Sequence, residues 1–516
     1  MIYMHWLILL IYGIVIIGTM VAVLMDRRQP AKTMAWVLVL IFLPVVGIIL
    51  YFFFGQNLRK ERSISQHSLD QLTEHSMLEF MEQQDLKLPE AYLPLINLFA
   101  NQSLAFPFKG NKADIYTDGY QFFPALLADI ARAVHHIHLT TYIIEDDSLG
   151  RLLSDALIQK AHEGVEIRLI FDDVGCWKVK NKFFERLRKE GIEVHSFMPV
   201  KFPAFTSKVN YRNHRKICII DGHVGFIGGM NIALRYVKGN SRLAWRDTHL
   251  RIRGSAVSGL QRAFLVDWYF VNRTLITDRK YYKDSTLPDN LSDTALITTE
   301  GHEESVFAGS EKEPDVALVS GESSVSLWEK QEQGALMQVV TSSPTSPWPD
   351  IEQGYVRILL EAKHYVFMET PYFLPTEPIL FAMRTAALAG TDVRLMLPLH
   401  GDAKLVEWAS RSYVMETIEA GVKVYFYQAG FNHSKLLVCD DALASVGSAN
   451  IDFRSFENNF EANVFIYDEE LALRLKKVFL ADQEECILLD DLTNLEHRPF
   501  LHRLWESLVR LLSPLL

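Results

Sequence analysis

Two stretches of this chain, one near its middle and one toward its end, carry the same residues in the same register. His214-Arg215-Lys216 is followed by Asp221, and His433-Ser434-Lys435 by Asp440 at the same spacing. Gly228, Asn231, Ile232 and Arg235 follow His214 at the same distances at which Gly447, Asn450, Ile451 and Arg454 follow His433. A single H-x-K-x4-D pattern is a weak signal; two in matched surroundings are not an accident. Further upstream the duplication persists with a different offset. Gly191-Ile192-Glu193-Val194 matches Gly421-Val422-Lys423-Val424, and this longer offset means that about eleven extra residues precede His214 in the first copy. Such a chain is constrained to fold as two homologous lobes.

Within each copy, short apolar strands alternate with amphipathic helices. Residues 138–144 and 165–171 read as strands flanking a helix over 152–162; residues 365–374 and 393–397 flank a helix over 379–388. The expected fold is therefore α/β, two lobes each built of a β-sheet flanked by helices. The first lobe is expected over 113–282 and the second over 339–490, with a connecting region over 61–112. Between the lobes, residues 283–338 read as an acidic, disordered insertion. From Asp284 to Glu332 there are twelve acidic residues and two lysines, which accounts for −10 of the chain's net charge of −11. The remainder is near neutral, which argues against a general nucleic-acid binder. The four cysteines have neither metal-ligand nor disulfide-framework spacing.

The amino terminus carries two uncharged runs, over 6–25 and over 34–54. A helix of about 20 apolar residues spans a bilayer, and each run reaches that length. The linker Asp26-Arg27-Arg28-Gln29-Pro30-Ala31-Lys32-Thr33 is too polar to remain in lipid. Residues 1–60 are thus expected to form a transmembrane helical hairpin. Arg27, Arg28 and Lys32 of the linker balance Arg59, Lys60 and Arg62 at the exit, so the positive-inside rule ties. At the carboxyl terminus, residues 491–516 read as an amphipathic helix, equally suited to the membrane interface or to packing on the body.

In a strand, residues i and i+2 share a face, so the histidine and lysine of each motif are expected to point together. Two lobes about a pseudo-twofold axis then form one pocket with two imidazoles, two ammonium groups and two Asn amides, suited to a tetrahedral phosphate. One histidine can attack phosphorus while the other protonates the leaving alkoxide and deprotonates the incoming hydroxyl. His214, Lys216, His433 and Lys435 are the catalytic candidates, with Asn231, Asn450 and Ser448 as substrate-binding residues. Asp221 and Asp440 complete the catalytic motif; five residues beyond the lysine, they read as its structural supports. No carboxylate cluster calls for a metal, and no cofactor is expected.

These residues resemble the phospholipase D superfamily and, more narrowly, its bacterial cardiolipin synthases of the two-motif type. The resemblance rests on Asn213-His214-Arg215-Lys216, Gly228-Gly229-Met230-Asn231, Trp245-Arg246-Asp247-Thr248-His249, Arg411-Ser412-Tyr413, Gly447-Ser448-Ala449-Asn450, Asp452, Arg454-Ser455 and Asn459-Phe460-Glu461. It covers nearly the whole chain apart from the acidic insertion. It implies transfer of a phosphatidyl group between two phosphatidylglycerol molecules, giving cardiolipin and glycerol, at a bacterial inner membrane crossed more than once. It further implies a phosphohistidine on His214, acid and then base catalysis by His433, and orientation of the histidines by Asp247 and Glu461. Ser448 departs from its counterpart Gly229, at a position where the family's second motif admits a hydroxyl. The phosphate site alone is shared with phospholipases D, with phosphatidyltransferases that use another alcohol and with tethered nucleases. A catalytically silent scaffold recruiting partners through the insertion is the reading of another class, and two intact motifs count against it. The expected partners are phospholipid and membrane, with no nucleic acid.

Overall fold

The computed structural model describes residues 2–25, 30–55, 68, 72–73, 88–200, 210–239, 244–282, 334–489, 500–511 and 513. The first lobe contains β1 (Pro107–Tyr116), β2 (His136–Thr141), β3 (Glu166–Asp172), β4 (Glu193–Phe197), β5 (Arg212–Asn213), β6 (Ile217–Ile220), β7 (Val224–Gly228), β8 (Ala244–Arg246) and β9 (His249–Arg253). The second contains β10 (Ala335–Ser342), β11 (Tyr365–Glu369), β12 (Phe373–Leu374), β13 (Asp392–Pro398), β14 (Lys423–Tyr427), β15 (Gly430–Asn432), β16 (Leu436–Cys439), β17 (Leu443–Gly447), β18 (Ile451–Asp452), β19 (Asn459–Tyr467) and β20 (Cys486–Leu488).

The duplication is visible in the order of the strands. Outward from the central antiparallel pair β1–β10, one side runs β1-β9-β7-β6-β2-β3-β4 and the other β10-β19-β17-β16-β11-β13-β14, with β20 at the far edge. Each series joins parallel strands (β2-β3-β4, β11-β13-β14) to antiparallel ones through β2–β6 and β11–β16. The parallel strands β2 and β11 are buried along their whole length, as parallel strands covered by helices are. The α/β architecture expected from the sequence is present.

Helices α1 (Ile2–Met25), α2 (Pro30–Phe42) and α3 (Pro44–Phe54) precede the lobes, and α4 (Leu93–Ser103) packs against the second. The first lobe has α5 (Gly119–Arg132), α6 (Ser148–His162), α7 (Asn181–Lys189), the short α8 (Arg235–Lys238) and α9 (Val257–Asn272). The second has α10 (Asp350–Glu361), α11 (Glu377–Leu388), α12 (Lys404–Ile418) and α13 (Glu469–Glu484), and α14 (Phe500–Arg510) follows. Helices α6 and α11 are both followed by a glycine, Gly164 at φ +92° and Gly390 at φ +98°. A side chain is strained there, which is why these two positions match between copies. One core is shared by the lobes: Phe264 and Trp268 of α9 and Leu475 and Phe479 of α13 belong to the cluster that includes Met337 and Val464 of the central strands.

Two boundaries differ from the sequence reading. The span assigned to the insertion, 283–338, overlaps β10, because Leu336, Met337 and Gln338 pair with β19 and Met337 and Gln338 also pair with β1. The rest of the insertion to residue 333 lies outside the described residues, as do residues 61–67, 69–71 and 74–87 of the connecting region. The second apolar run is two helices rather than one. Pro44 has no N–H for the ladder, and Leu43 before it leaves helical geometry at φ −130° and ψ 60°. Among the described residues no helix is long and apolar enough to cross a membrane. Finally, α14 packs on α12 through Arg510, which is 2.8 Å from Glu416 and stacks 4.2 Å from the Tyr413 ring centroid.

Candidate active site

Each motif reaches across to the other lobe. β5 pairs in parallel with the start of β19, and β15 pairs in parallel with β8. The exchange continues into the motifs: His214 N–H donates to Phe460 O (2.9 Å) and His433 N–H to Arg246 O (2.7 Å). The tripeptides 214–216 and 433–435 therefore lie between strands, β5 and β6 in one lobe and β15 and β16 in the other. The expectation of a shared strand face is corrected accordingly. The backbone leaves a partner in the opposite lobe and joins one in its own, so its pairing breaks at the histidine. The lysine is set instead by its ammonium, which folds back onto the carbonyl of its own histidine, Lys216 Nζ to His214 O at 2.5 Å and Lys435 Nζ to His433 O.

The residue after each partner strand's pairing segment is a carboxylate. His214 Nδ1 lies 3.0 and 3.1 Å from the Glu461 oxygens, and His433 Nδ1 lies 2.7 Å from Asp247 Oδ2. Carboxylates only accept, so both Nδ1 atoms carry hydrogen and both Nε2 atoms remain for chemistry. The carboxylates are themselves held. Ser448 Oγ donates to Glu461 Oε2 (2.5 Å), Asn459 Nδ2 donates to Oε1 (3.1 Å), and Thr248 N–H donates to Asp247 Oδ1 (2.8 Å). The Gly229/Ser448 difference follows, since a Cβ at Gly229 would collide with the Asp247 carboxylate. In the other lobe the hydroxymethyl of Ser448 fits and bonds Glu461 instead.

Burial works against every charge here. It pulls Lys216 down to about 7 and Lys435 to about 8; Lys435 lowers Lys216 further, and Glu461 and Asp247 only partly restore the two. His214 is lowered, first by burial, with Glu461 opposing. His433 is held well below its usual range by burial and then by Lys435 and Lys216. Its ring lies 5.5 Å from Trp245, 5.7 Å from Phe431, 6.2 Å from Tyr236 and 6.3 Å from Tyr372. His214 faces Tyr142 at 4.9 Å. Burial raises the Asp247 carboxyl; it would raise Glu461 too, but His214, Lys216 and the Ser448 hydroxyl hold that group below the usual carboxylate range.

The other predicted residues fall in two places. Asp221 and Asp440 sit at hairpin tips with φ +53° and +47°. Asp221 accepts the backbone N–H groups of Val134, His135 and His136; Asp440 accepts those of Lys363, His364 and Tyr365. Both clamp the starts of β2 and β11, at the opposite end of the β-strands from the histidines, so the structure does not gather them into the site. The Asn231 amide is partly used, accepting from Ile143 N–H and donating to Tyr236 Oη, and Asn450 Nδ2 donates to Asp452. Ser448 was expected at the substrate, yet its hydroxyl lies on Glu461. Among the described residues no group of three or more His, Cys, Asp or Glu side chains is placed to hold a metal ion.

Comparison with known proteins matches residues 126–268 and 355–483 to the family described as cardiolipin synthase, phospholipase D-like domain, and residues 8–56 to a phospholipase D-nuclease N-terminal family. A cardiolipin synthase of Geobacillus kaustophilus is 39% identical over 95% of this chain and 90% of its own. The major cardiolipin synthase of Bacillus subtilis is 36% identical over 97% of each. This chain belongs to the cardiolipin synthase family of the phospholipase D superfamily. A phosphatidylserine synthase of Haemophilus influenzae shares the fold, with TM-score 0.56 at 13% identity over 82% of this chain and 99% of its own.

In this member of the cardiolipin synthase family, the aromatic rings around the histidines are what sequence reasoning missed. Tyr142 and Tyr372 each stand just beyond the end of a matching strand. Tyr142 comes six positions after His136 and Tyr372 seven after Tyr365, the residues that Asp221 and Asp440 clamp, so the two tyrosines lie one position out of register. Trp245 is part of a stretch that carries the resemblance and Phe431 stands two residues before His433; the pairing of β8 with β15 is what brings both rings to His433.

Proposed function

We propose that this chain joins two phosphatidylglycerol molecules into cardiolipin and glycerol by phosphatidyl transfer through His214. The observation that carries the proposal is the crossed pair of carboxylate-held imidazoles, each with Nε2 turned away from its carboxylate, beside two buried ammonium groups. In the first step, His214 Nε2 attacks phosphorus and the P–O bond to the headgroup glycerol breaks, with the proton supplied by His433. In the second, the hydroxyl of another phosphatidylglycerol loses its proton to His433 as its oxygen displaces His214. Lys216 and Lys435 offset the phosphate charge throughout. In the free site burial and those same ammonium groups hold the proton off His433; a phosphodiester anion between them offsets the ammonium part, which favours proton gain by His433 as substrate binds. One phosphodiester replaces another, so no nucleotide is required. The rings around His433 keep water from the intermediate.

The opposite assignment of roles has one observation in its favour: His433 is the more strongly deprotonated of the two in the free site. The two are told apart by acid-sensitive labelling with phosphatidylglycerol and mapping of the modified residue. Label on His214 in a His433→Ala variant supports the assignment made here; label on His433 in a His214→Ala variant reverses it.

The amino-terminal helices are best read as a membrane hairpin. The uncharged runs, the family match over 8–56 and the exposed Ile14, Ile17 and Leu24 of α1 support this. Removal of residues 1–55 should release the protein from sedimenting membranes; retention would place the anchor elsewhere. The near-neutral body makes nucleic acid a poor substrate, and cleavage of DNA by the purified protein would contradict this.

A further inference from the structure

A cleft opens beside His433, and Tyr372 belongs to both. On one side its ring meets His433 at 6.3 Å; on the other it lines the cleft with Gly401, Glu407, Ser410 and Arg411. At the lip, Tyr372 Oη donates to the Asp402 carboxylate, 3.0 and 2.9 Å from its two oxygens. Asp402 and Lys435 also act on one another electrostatically, and Arg235 acts on Asp402. Asp440, the duplicated aspartate, is elsewhere, and the mechanism above gives Asp402 and the Tyr372 hydroxyl no task.

Double displacement fixes what lies on this side. The nucleophile His214 approaches phosphorus opposite the leaving oxygen. The incoming oxygen must then approach opposite His214, along the path by which the first left. Leaving glycerol and incoming glycerol headgroup therefore occupy one subsite, the one served by His433. An anionic carboxylate with spare lone pairs, paired with a phenol, matches the vicinal hydroxyls of such a polyol: two O–H donors can share one carboxylate.

We propose that Tyr372 and Asp402 form the polyol-reading subsite that selects glycerol over simple alcohols on both the leaving and the incoming side. In the transfer step the bond from phosphorus to His214 Nε2 breaks, the bond to the terminal glycerol oxygen forms, and that hydroxyl's proton passes to His433 Nε2. Asp402 and Tyr372 hold the adjacent hydroxyl and take no proton. They are specificity-determining residues.

The inference rests on His433 being the acid and base. Its test is a competition for one intermediate. Full-length protein in detergent receives phosphatidylglycerol together with labelled glycerol and 1-propanol, and the ratio of labelled phosphatidylglycerol to phosphatidylpropanol is read. Because both products come from the same intermediate, the ratio is independent of how fast it forms. Wild type should favour glycerol, and Asp402→Asn and Tyr372→Phe should each lower the ratio by about tenfold while propanol transfer persists, since a lost hydrogen bond to a charged group discriminates on that order. Equal loss of both products with an unchanged ratio in both variants would overturn the proposal. Absence of any transfer product in wild type would instead overturn the transferase reading beneath it.

Discussion

Lys216 and Lys435 set the pH behaviour of the site. Phosphate needs their charged forms, and burial brings these lysines to about 7 and about 8 in the free protein. We predict that kcat/KM falls as pH rises through that range. The kcat holds to higher pH, because a bound anion stabilises the ammonium. A pH profile flat to pH 9 in kcat/KM would contradict it. The same depression makes Lys216 a stability cost. The folded state releases a proton that the unfolded chain retains up to about 10.5, so the cost is full below about 7 and fades toward 10.5. Lys216→Met should therefore abolish turnover yet raise the thermal midpoint by a few degrees at pH 6, with the gain shrinking at higher pH. Gly229→Ala tests the fit at Asp247: the added methyl displaces the carboxylate, and activity should fall at least tenfold with little change in the fold. The histidines and lysines were legible because spacing repeats them. The Ser448 hydroxyl was misplaced because its bond to Glu461 depends on a strand from a different part of the lobe.

At the scale of elements, the site depends on β8 and β15 lying together across the lobes. Arg246 of β8 forms buried ion pairs with Glu369 at 3.4 Å and Asp482 at 2.5 Å, both in the second lobe. Burial and the neighbouring Glu369 push the Asp482 carboxyl up to about 7 against the pull of Arg246. Removing the guanidinium leaves two carboxylates facing each other without water, and loss of one partner of such a cluster costs about 3–5 kcal/mol. Arg246→Ala should accordingly lower the urea midpoint sharply, whereas Arg246→Lys should recover part of it. An unchanged midpoint would mean that the pairing of β8 and β15 holds without it. In the parallel layers β3 and β13 were readable from their apolar runs. The crossing segments β5, β8 and β15 are two or three residues long, too short for periodicity to reveal, and their partners are distant in sequence. Pro44, plain in the sequence, splits the second apolar run because the missing N–H outweighs the hydrophobic pattern there.

Across the whole molecule, duplication explains why neither lobe has a site alone. Each imidazole takes its carboxylate from the other lobe, so the pair exists only when β1 and β10 join the two sheets. This division was foreseeable from the constant offset that relates His214 to His433, Gly228 to Gly447 and Asn231 to Asn450. The exchange of carboxylates was not, because spacing within one copy says nothing of which copy a side chain will face. The central claim is that both motifs serve one transfer reaction. Cardiolipin and glycerol release from pure phosphatidylglycerol, with EDTA present, tests it in wild type, His214→Ala and His433→Ala. The account predicts equimolar cardiolipin and glycerol from wild type and neither product from either variant. Phosphatidic acid in place of cardiolipin, or a variant that still makes cardiolipin at the wild-type rate, would contradict it.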